Sequence, residues 1–247
     1  MKYLKIFFVM AIAAVLCTSC EKDDSNIELL DSFEHIILKP DAAGAMYAND
    51  VRIFDFSSGV SSEREELIHA WFEDYGTSAD AGEVKVNNYT FVPAAPPPPG
   101  VGFYYNGESA GKIFTNGSTL RWSIAGTPAV AGFAHTDNRP FPSGGSFTLP
   151  PVINVNNSFT LTHDPVAGAD SIIYYLRCTE GQIHKMAPGT STSVSFSANE
   201  MDDLCRGSDY QVVFMVVPVI VNHAVYNNKK YYFVKQLKVI GQSKTAR

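Results

Sequence analysis

The sequence predicts an all-β protein built from two domains. Its segments repeatedly alternate apolar and polar residues, and clusters of Gly, Pro and Asn separate them, which is typical of antiparallel strands joined by turns. The 247 residues are long for one β-sandwich and suit two domains of roughly 100 residues each. Because residues 140–151 combine four prolines with two adjacent glycines, we predict domains over residues 32–147 and 148–247.

Residues 1–19 have the features of a secretion signal. Lys2 and Lys5 precede an unbroken apolar run over residues 6–16. That run is shorter than the roughly 20 residues that span a membrane, so it directs export and does not anchor the chain. Small residues then lead into Cys20, and residues 16–20 resemble the lipobox at which bacterial signal peptidases cut before the cysteine is acylated. We therefore expect lipidation at Cys20.

Residues 20–31 are expected to form a flexible acidic tether. Residues 21–24 (EKDD) resemble the acidic export signal of surface-exposed lipoproteins of Bacteroidetes. The resemblance implies a chain that is lipid-anchored in the outer membrane and exposed at the cell surface. An ordinary solvated linker is the alternative interpretation.

Strands dominate the first predicted domain. One-sided apolar alternation marks residues 51–56, 83–86 and 119–124. Trp122 shares its face with other apolar residues and is expected in the core. Residues 82–88 and 120–122 loosely resemble the immunoglobulin-like modules common in Bacteroidetes surface lipoproteins.

Residues 61–75 fit two interpretations. Ser62 and Glu65 have the spacing of a helix capping box, whereas the same segment also suits a strand that pairs with residues 82–91. We favour the strand. Residues 93–100 contain five prolines, which cannot donate to a β-ladder, and are expected to form a surface loop.

The second predicted domain resembles a fibronectin type III β-sandwich over residues 151–241. The segments that carry the resemblance are residues 159–165 for strand B, 170–177 for strand C, 193–197 for strand E and 204–210 for the corner before strand F. It implies that the Tyr210 ring fills the edge of the core and that its hydroxyl bonds to the backbone upstream. His163 stands where the family usually has tryptophan, and we expect it in the core.

Two cysteines remain after the signal peptide is removed and Cys20 is acylated, and two thiols cannot build a zinc site. The fibronectin resemblance places Cys178 at the end of strand C and Cys205 before strand F, at the same end of the sandwich. It allows either a disulfide between them or two free thiols.

One face of the predicted C, F and G sheet is expected to be a contact surface. Val212 and Phe214 are assigned to the core, and because side chains alternate, the residues between them point away although they are apolar. This outward set comprises Ile173, Tyr175, Val213, Met215, Val217, Tyr232 and Val234. Such patches mark contact surfaces, so we expect the N-terminal domain or a partner chain to cover it. A slip of strand parity at a bulge would exchange the two faces.

Charge and composition exclude several function classes. Removing residues 1–19 takes Lys2 and Lys5 from the 19 Lys and Arg residues and leaves all 25 Asp and Glu residues, for a net charge of −8. This balance argues against binding to nucleic acid and against electrostatic docking on anionic lipid. The six histidines lack metal-ligand spacing, and no phosphate loop or EF-hand occurs, so we expect no metal or cofactor.

Residues 107–111 match the Gly-x-Ser-x-Gly nucleophile elbow, but the segment that follows predicts a hairpin tip and no helix. We therefore assign no catalytic residue. Trp71, Tyr104 and Tyr105 are candidate platforms on which sugar rings could stack, with ordinary packing as the alternative.

These observations favour a non-enzymatic cell-surface module for binding or adhesion, with glycans as the leading ligand class. A structural or assembly component of a surface protein complex is the second hypothesis. A hydrolase of unrecognised type is the third. The expected partners are the membrane lipid, a glycan or another surface protein, and no nucleic acid.

Overall fold

The computed structural model describes residues 42–55, 60–74, 77–93, 104–105, 113, 119–205 and 210–246. Within these residues the chain consists mainly of strands, so the predicted all-β class is confirmed. The strands are β1 (Ala42–Asp55), β2 (Val60–Asp74), β3 (Thr77–Ser78), β4 (Val84–Val86), β5 (Tyr89–Thr90), β6 (Val92–Pro93), β7 (Tyr104–Tyr105), β8 (Leu120–Ile124), β9 (Phe133–Asp137), β10 (Ser143–Gly144), β11 (Val152–Asn154), β12 (Phe159–Thr162), β13 (Val166–Ala167), β14 (Ser171–Cys178), β15 (Gly181–Pro188), β16 (Ser193–Phe196), β17 (Gln211–Tyr226) and β18 (Lys229–Ala246). A short helix, α1 (Ala198–Leu204), precedes β17.

Strand β18 holds together a mixed ten-stranded sheet. Along one edge it pairs antiparallel with β17, and along the other it pairs in parallel with β1 and then, near its C-terminal end, with β11. The order across the sheet is β15-β14-β17-β18-β1-β2-β7-β6, with β3 beside β2. The 18 residues of β18 extend about 60 Å, which is long enough to serve two separate layers of packing.

Two hydrophobic clusters pack on the same face of this sheet, which we call the core face. Tyr231 and Phe233 of β18 belong to the cluster of the N-terminal half. Leu237 and Val239 of the same strand belong to the cluster of the C-terminal half. The boundary predicted at residue 147 therefore does not separate two sheets, because β18 contributes to both clusters and Asp41–Arg247 fall in one compact unit.

The C-terminal half has the strand arrangement that the fibronectin resemblance implies. Strands β12 and β16 pair with each other and face β14, β17 and β18 across a shared cluster. Thr160 and Ser195 are exposed, whereas Phe214 and Val216 are buried, as predicted. Strands β12 and β16 thus turn an apolar side to the shared cluster and a polar side to the solvent.

The prediction for Tyr210 is wrong. Its side chain is 44% exposed and does not fill the core edge. Met201 of α1 and Cys205 are fully buried and belong to the hydrophobic cluster of the C-terminal half. The Tyr210 N–H donates to the side-chain hydroxyl of Thr245 over 3.0 Å, and the Thr245 N–H donates to the Tyr210 main-chain oxygen over 2.9 Å.

His163 lies in the core, as predicted, and is hydrogen-bonded on both ring nitrogens. Nδ1 lies 2.7 Å from the main-chain oxygen of Asp164, and Nε2 lies 2.7 Å from the Tyr174 hydroxyl. Because a carbonyl only accepts, Nδ1 carries the proton and the Tyr174 hydroxyl donates to Nε2. Burial raises the pKa of Tyr174 to about 12, so this donor keeps its proton.

In the N-terminal half, residues 61–75 contain strand β2, which confirms the strand over the helix. The predicted pairing with residues 82–91 is wrong, because β2 pairs with β1 along most of its length and with β3 and β7 at its end. The segment 84–86 instead joins a four-stranded sheet of order β5-β4-β8-β9. This sheet covers the core face, and Trp122 is buried in it as predicted. Residues 94–100 and 107–111 lie outside the described residues.

Lys235 lies on β18 between the two clusters and is only 1% exposed. Its ammonium group lies 3.4 Å from Oδ2 of Asp137 and donates to the main-chain oxygens of Asp137 and Arg139. It also lies 5.5 Å from the ring centre of Phe141. Burial lowers the pKa of Lys235, and the Asp137 carboxylate opposes that shift. Lys235 therefore links β18 to Asp137 and Arg139, in the chain segment that leads from one hydrophobic cluster to the other.

Cys178 and Cys205 form a disulfide with their Cα atoms 5.3 Å apart. Cys178 ends β14, and Cys205 caps the C-terminus of α1. The disulfide therefore links the large sheet, through β14, to the segment that connects β16 with β17. Of the two alternatives left open by the sequence, the structure contains the disulfide.

We expect Lys235→Met to destabilise the fold by roughly 3–5 kcal/mol, because it leaves the buried Asp137 carboxylate without its counter-charge. Urea unfolding of the mature chain measures this change. Lys229→Met is the matched control, because its ion pair with Asp74 is about one-third exposed on both sides and should contribute about 1 kcal/mol or less. Similar losses for both variants would contradict a special role for Lys235.

Replacing both bridged cysteines with serine should lower the free energy of unfolding by roughly 2–4 kcal/mol, because the bridge closes a loop between positions 27 residues apart. Thermal and urea unfolding of the Cys178→Ser/Cys205→Ser variant test the magnitude. Thiol labelling of the unfolded, unreduced protein tests the bridge itself. Two labelled thiols would show that it does not form.

Candidate functional site: the second face of the large sheet

The large sheet has a second face, opposite the core face, which carries the predicted contact residues. The register of β14, β17 and β18 places all seven of them on this side. Ile173, Tyr175, Met215, Val217, Tyr232 and Val234 are at most 4% exposed, and Val213 is half-buried. The strand parity assigned from the sequence is therefore correct, and so is the expectation that the set is buried.

The described part of the N-terminal half does not lie over this surface. Strands β1 and β2 continue the same sheet beside β18, so they extend the second face and do not cover it. Both hydrophobic clusters draw on the core face, and none of the buried second-face residues belongs to either. The described residues of the N-terminal half therefore do not cover the set, and the coverage by the N-terminal domain or a partner chain stays a prediction.

The second face has two chemically different halves. On β14 and β17 it is apolar, through residues such as Ile173, Met215 and Val219. On β18, β1 and β2 polar and aromatic side chains occupy the same side, and we call this region the polar–aromatic half. Its described members are Tyr47, Asn49, His69, Trp71, Gln236 and Lys238.

The polar–aromatic half is organised around Asn49. Its Nδ2 donates to the main-chain oxygen of Leu67 over 3.2 Å and lies 3.5 Å from Nδ1 of His69. The His69 ring stacks on the Tyr47 ring with centres 4.6 Å apart and planes 8° apart. Gln236 is the direct register neighbour of Asn49 on β18. Two carboxamides and a stacked pair of rings thus share one surface.

Trp71, Tyr104 and Tyr105 were proposed as platforms for sugar rings, and the assignment of Tyr104 is wrong. It is 3% exposed on the core face, where its ring packs edge-on against Phe72. Its hydroxyl donates to Asp80 over 2.7 Å and accepts from the Ala81 N–H over 3.0 Å. Burial, reinforced by the Asp80 carboxylate, raises the pKa of Tyr104 to about 12. This tyrosine has a structural role.

Trp71 lies on the second face, opposite Ala45, and is half-buried. The main chain of Tyr105 in β7 pairs with His69 of β2, the strand that also carries Trp71. The Tyr105 side chain lies outside the described residues. Trp71 is therefore the one of the three whose described side chain is not fully buried.

The described residues contain no group of three or more His, Cys, Asp or Glu side chains placed to hold a metal ion. Within the same residues, no helix has the length and apolar composition needed to cross a membrane. Cys20, the tether over residues 20–31 and the Gly-x-Ser-x-Gly segment lie outside the described part of the chain. The chemistry available on the second face is apolar contact, ring stacking and hydrogen bonding by amides.

No family model matches this sequence. No curated protein matches it either. Among solved structures, the crystal structure of Dpr11 IG1 bound to DIP-gamma IG+IG2 aligns over 81% of this chain and 96% of that chain, with 9% identity and a TM-score of 0.20. A TM-score this low does not assign the chain to that fold or that function.

Proposed function

We propose that this chain is a lipid-anchored protein of the bacterial cell surface that acts by binding, with the second face as its contact surface. The observation that carries the proposal is the composition of that face. Its apolar residues are buried, although they belong to neither of the two hydrophobic clusters in the described part of the chain. Broad apolar faces that lie outside a protein's own core usually mark contacts. The signal peptide and the lipobox resemblance at Cys20 support export and anchoring.

Cys20→Ala should move the protein from the membrane to the soluble fraction, because a chain without acyl groups has no hydrophobic anchor. Fractionation of the native bacterium, followed by immunoblotting, measures the shift. Neutral substitution of Lys22, Asp23 and Asp24 is the companion variant. It should remain membrane-bound yet become resistant to protease added to intact cells. A Cys20→Ala protein that stays in the membrane would contradict the anchor.

The ligand class that we propose is a glycan. Aromatic rings offer an apolar surface for the C–H face of a sugar, and planar amides pair with its hydroxyl groups. Trp71 provides such a ring on the second face, and the amides of Asn49 and Gln236 lie buried on the same side of the sheet. Trp71 is half-buried, so part of this residue is accessible to solvent.

Trp71→Ala should weaken binding to the saccharides recognised on a printed glycan array by at least about tenfold, since a stacked aromatic ring is the usual main contributor to such a contact. Met186→Ala is the control, because Met186 is an apolar residue that is 62% exposed on edge strand β15, far across the same sheet. Equal unfolding temperatures for both variants establish that the fold is intact. Unchanged binding by Trp71→Ala would remove this residue from the site.

A structural role in a surface protein complex is the second candidate, and the apolar half of the second face favours it. Permanent protein–protein interfaces are more apolar than the rest of a protein surface. Extraction of the protein from membranes with mild detergent distinguishes the two functions. A stoichiometric second protein in the extract supports assembly, whereas a single chain that binds saccharides supports glycan capture.

A further inference from the structure

Strand β15 forms one edge of the large sheet. Within the described residues, Gly181–Pro188 pair only with β14, and that register contains no bulge. The opposite edge of the sheet is β6, which has two residues and ends at Pro93. Because an unpaired strand edge is a template for a further strand, β15 is the edge of this sheet that can accept one.

The main chain of β15 presents a regular row of hydrogen-bonding groups along this edge. The hairpin of β14 and β15 closes with the pair Cys178 and Gly181, so Gly181 and every second residue after it bond to β14. Gln182, His184 and Met186 therefore direct their N–H and C=O groups away from the sheet. Each carries one donor and one acceptor, and no described strand pairs with them on this side.

The usual protections of an edge strand do not close this row. Outward lysines, bulges, prolines or a covering segment commonly protect such strands. The one lysine of β15, Lys185, is held on the core-face side, where its ammonium binds Glu200 over 2.9 Å and the main-chain oxygen of Ser195 over 2.8 Å. Pro188 comes only after the last residue of the row. On the other side of the strand Met186 is 62% exposed, so a partner reaches the edge directly.

We propose that β15 pairs with β15 of a second copy of this chain, antiparallel and about a two-fold axis at His184. The row is symmetric about His184, because Gln182 and Met186 lie two residues to either side of it. In this pairing each of the three residues faces one of the same three in the second copy, so every outward N–H meets a carbonyl. The inference goes beyond the proposed function and does not depend on a saccharide.

The side chains of the row also suit pairing with an identical strand. β15 contains no carboxylate, and its lysine is bound within its own chain, so no like charges meet across the axis. His184 faces its own counterpart, and Gln182 faces Met186 of the second copy. The two large sheets become continuous, and their second faces lie on the same side. Two proposed contact surfaces thereby face one direction, which favours binding to a repetitive partner.

One pair of edge strands makes a weak dimer in solution. We expect it to be smaller than the standard interface of about 1,600 Å². The dissociation constant is accordingly expected between roughly 1 μM and 1 mM. Anchoring at Cys20, as proposed above, holds many chains on one membrane and raises their effective concentration, so a weak pairing suffices there.

Sedimentation equilibrium of the mature Cys20→Ala chain should show a monomer–dimer equilibrium at concentrations up to about 1 mM. Two variants that differ only in the charge at position 186 test the register. Gln182→Glu/Met186→Glu places like charges opposite each other, whereas Gln182→Glu/Met186→Lys places opposite charges there. The second variant should dimerise at least about tenfold more tightly than the first. Both positions are exposed, so the unfolding temperatures should match that of the unsubstituted chain. Met186→Ala keeps the main-chain groups and should dimerise normally.

Two results overturn the inference. A chain that stays monomeric at about 1 mM does not pair with itself through β15, and any partner of this edge is then a different protein. Equal dissociation constants for the two charged variants would place the dimer on another surface. Neither result bears on the proposed function, because saccharide binding by the unsubstituted chain and by Trp71→Ala is measured separately.

Discussion

The pairing of β18 along both of its edges is the constraint on which the rest of the structure depends. One edge forms a long hairpin with β17, and the other accepts β1 and β11 in parallel. A residue on β18 therefore belongs to whichever layer packs over it, and Phe233 and Leu237 fall in different clusters. Lys235 stands between them, where its ammonium binds the chain that crosses from one layer to the other. The two halves consequently cannot separate without breaking this strand's ladder.

Local alternation was enough to predict the strands, because burial on one face imposes a period of two on the sequence. It also gave the correct parity for residues such as Met215 and Tyr232. The parallel pairing of β1 with β18 could not be predicted, because it joins residues almost 190 positions apart and leaves no local pattern. Helix α1 was missed although its signal is present: Ser197 and Glu200 have capping-box spacing and cap each other in the structure.

The candidate site was predictable only in part, because pairings between strands that are distant in sequence leave no local pattern. Alternation identified its apolar half because those residues follow one another at every second position. Asn49, His69 and Gln236 come from three strands, and their meeting depends on a register that the sequence does not reveal. Tyr104 was assigned to the site because a tyrosine near a proline-rich segment suggests exposure. Its actual environment is set by Asp80, a hydrogen-bond acceptor that only the folded chain brings close.

Both faces of the large sheet hold buried polar groups. On the core face even the buried charge of Lys235 has a carboxylate and two carbonyl partners. On the second face Asn49 and Gln236 are buried to the same degree and keep unpaired amide atoms. Natural sequences retain such a local inconsistency chiefly where function requires it, since an apolar residue at either position would be more stable. The core face is not free of such groups, because the Tyr231 hydroxyl is also unpaired among the described residues, but the two incompletely paired amides both lie on the second face.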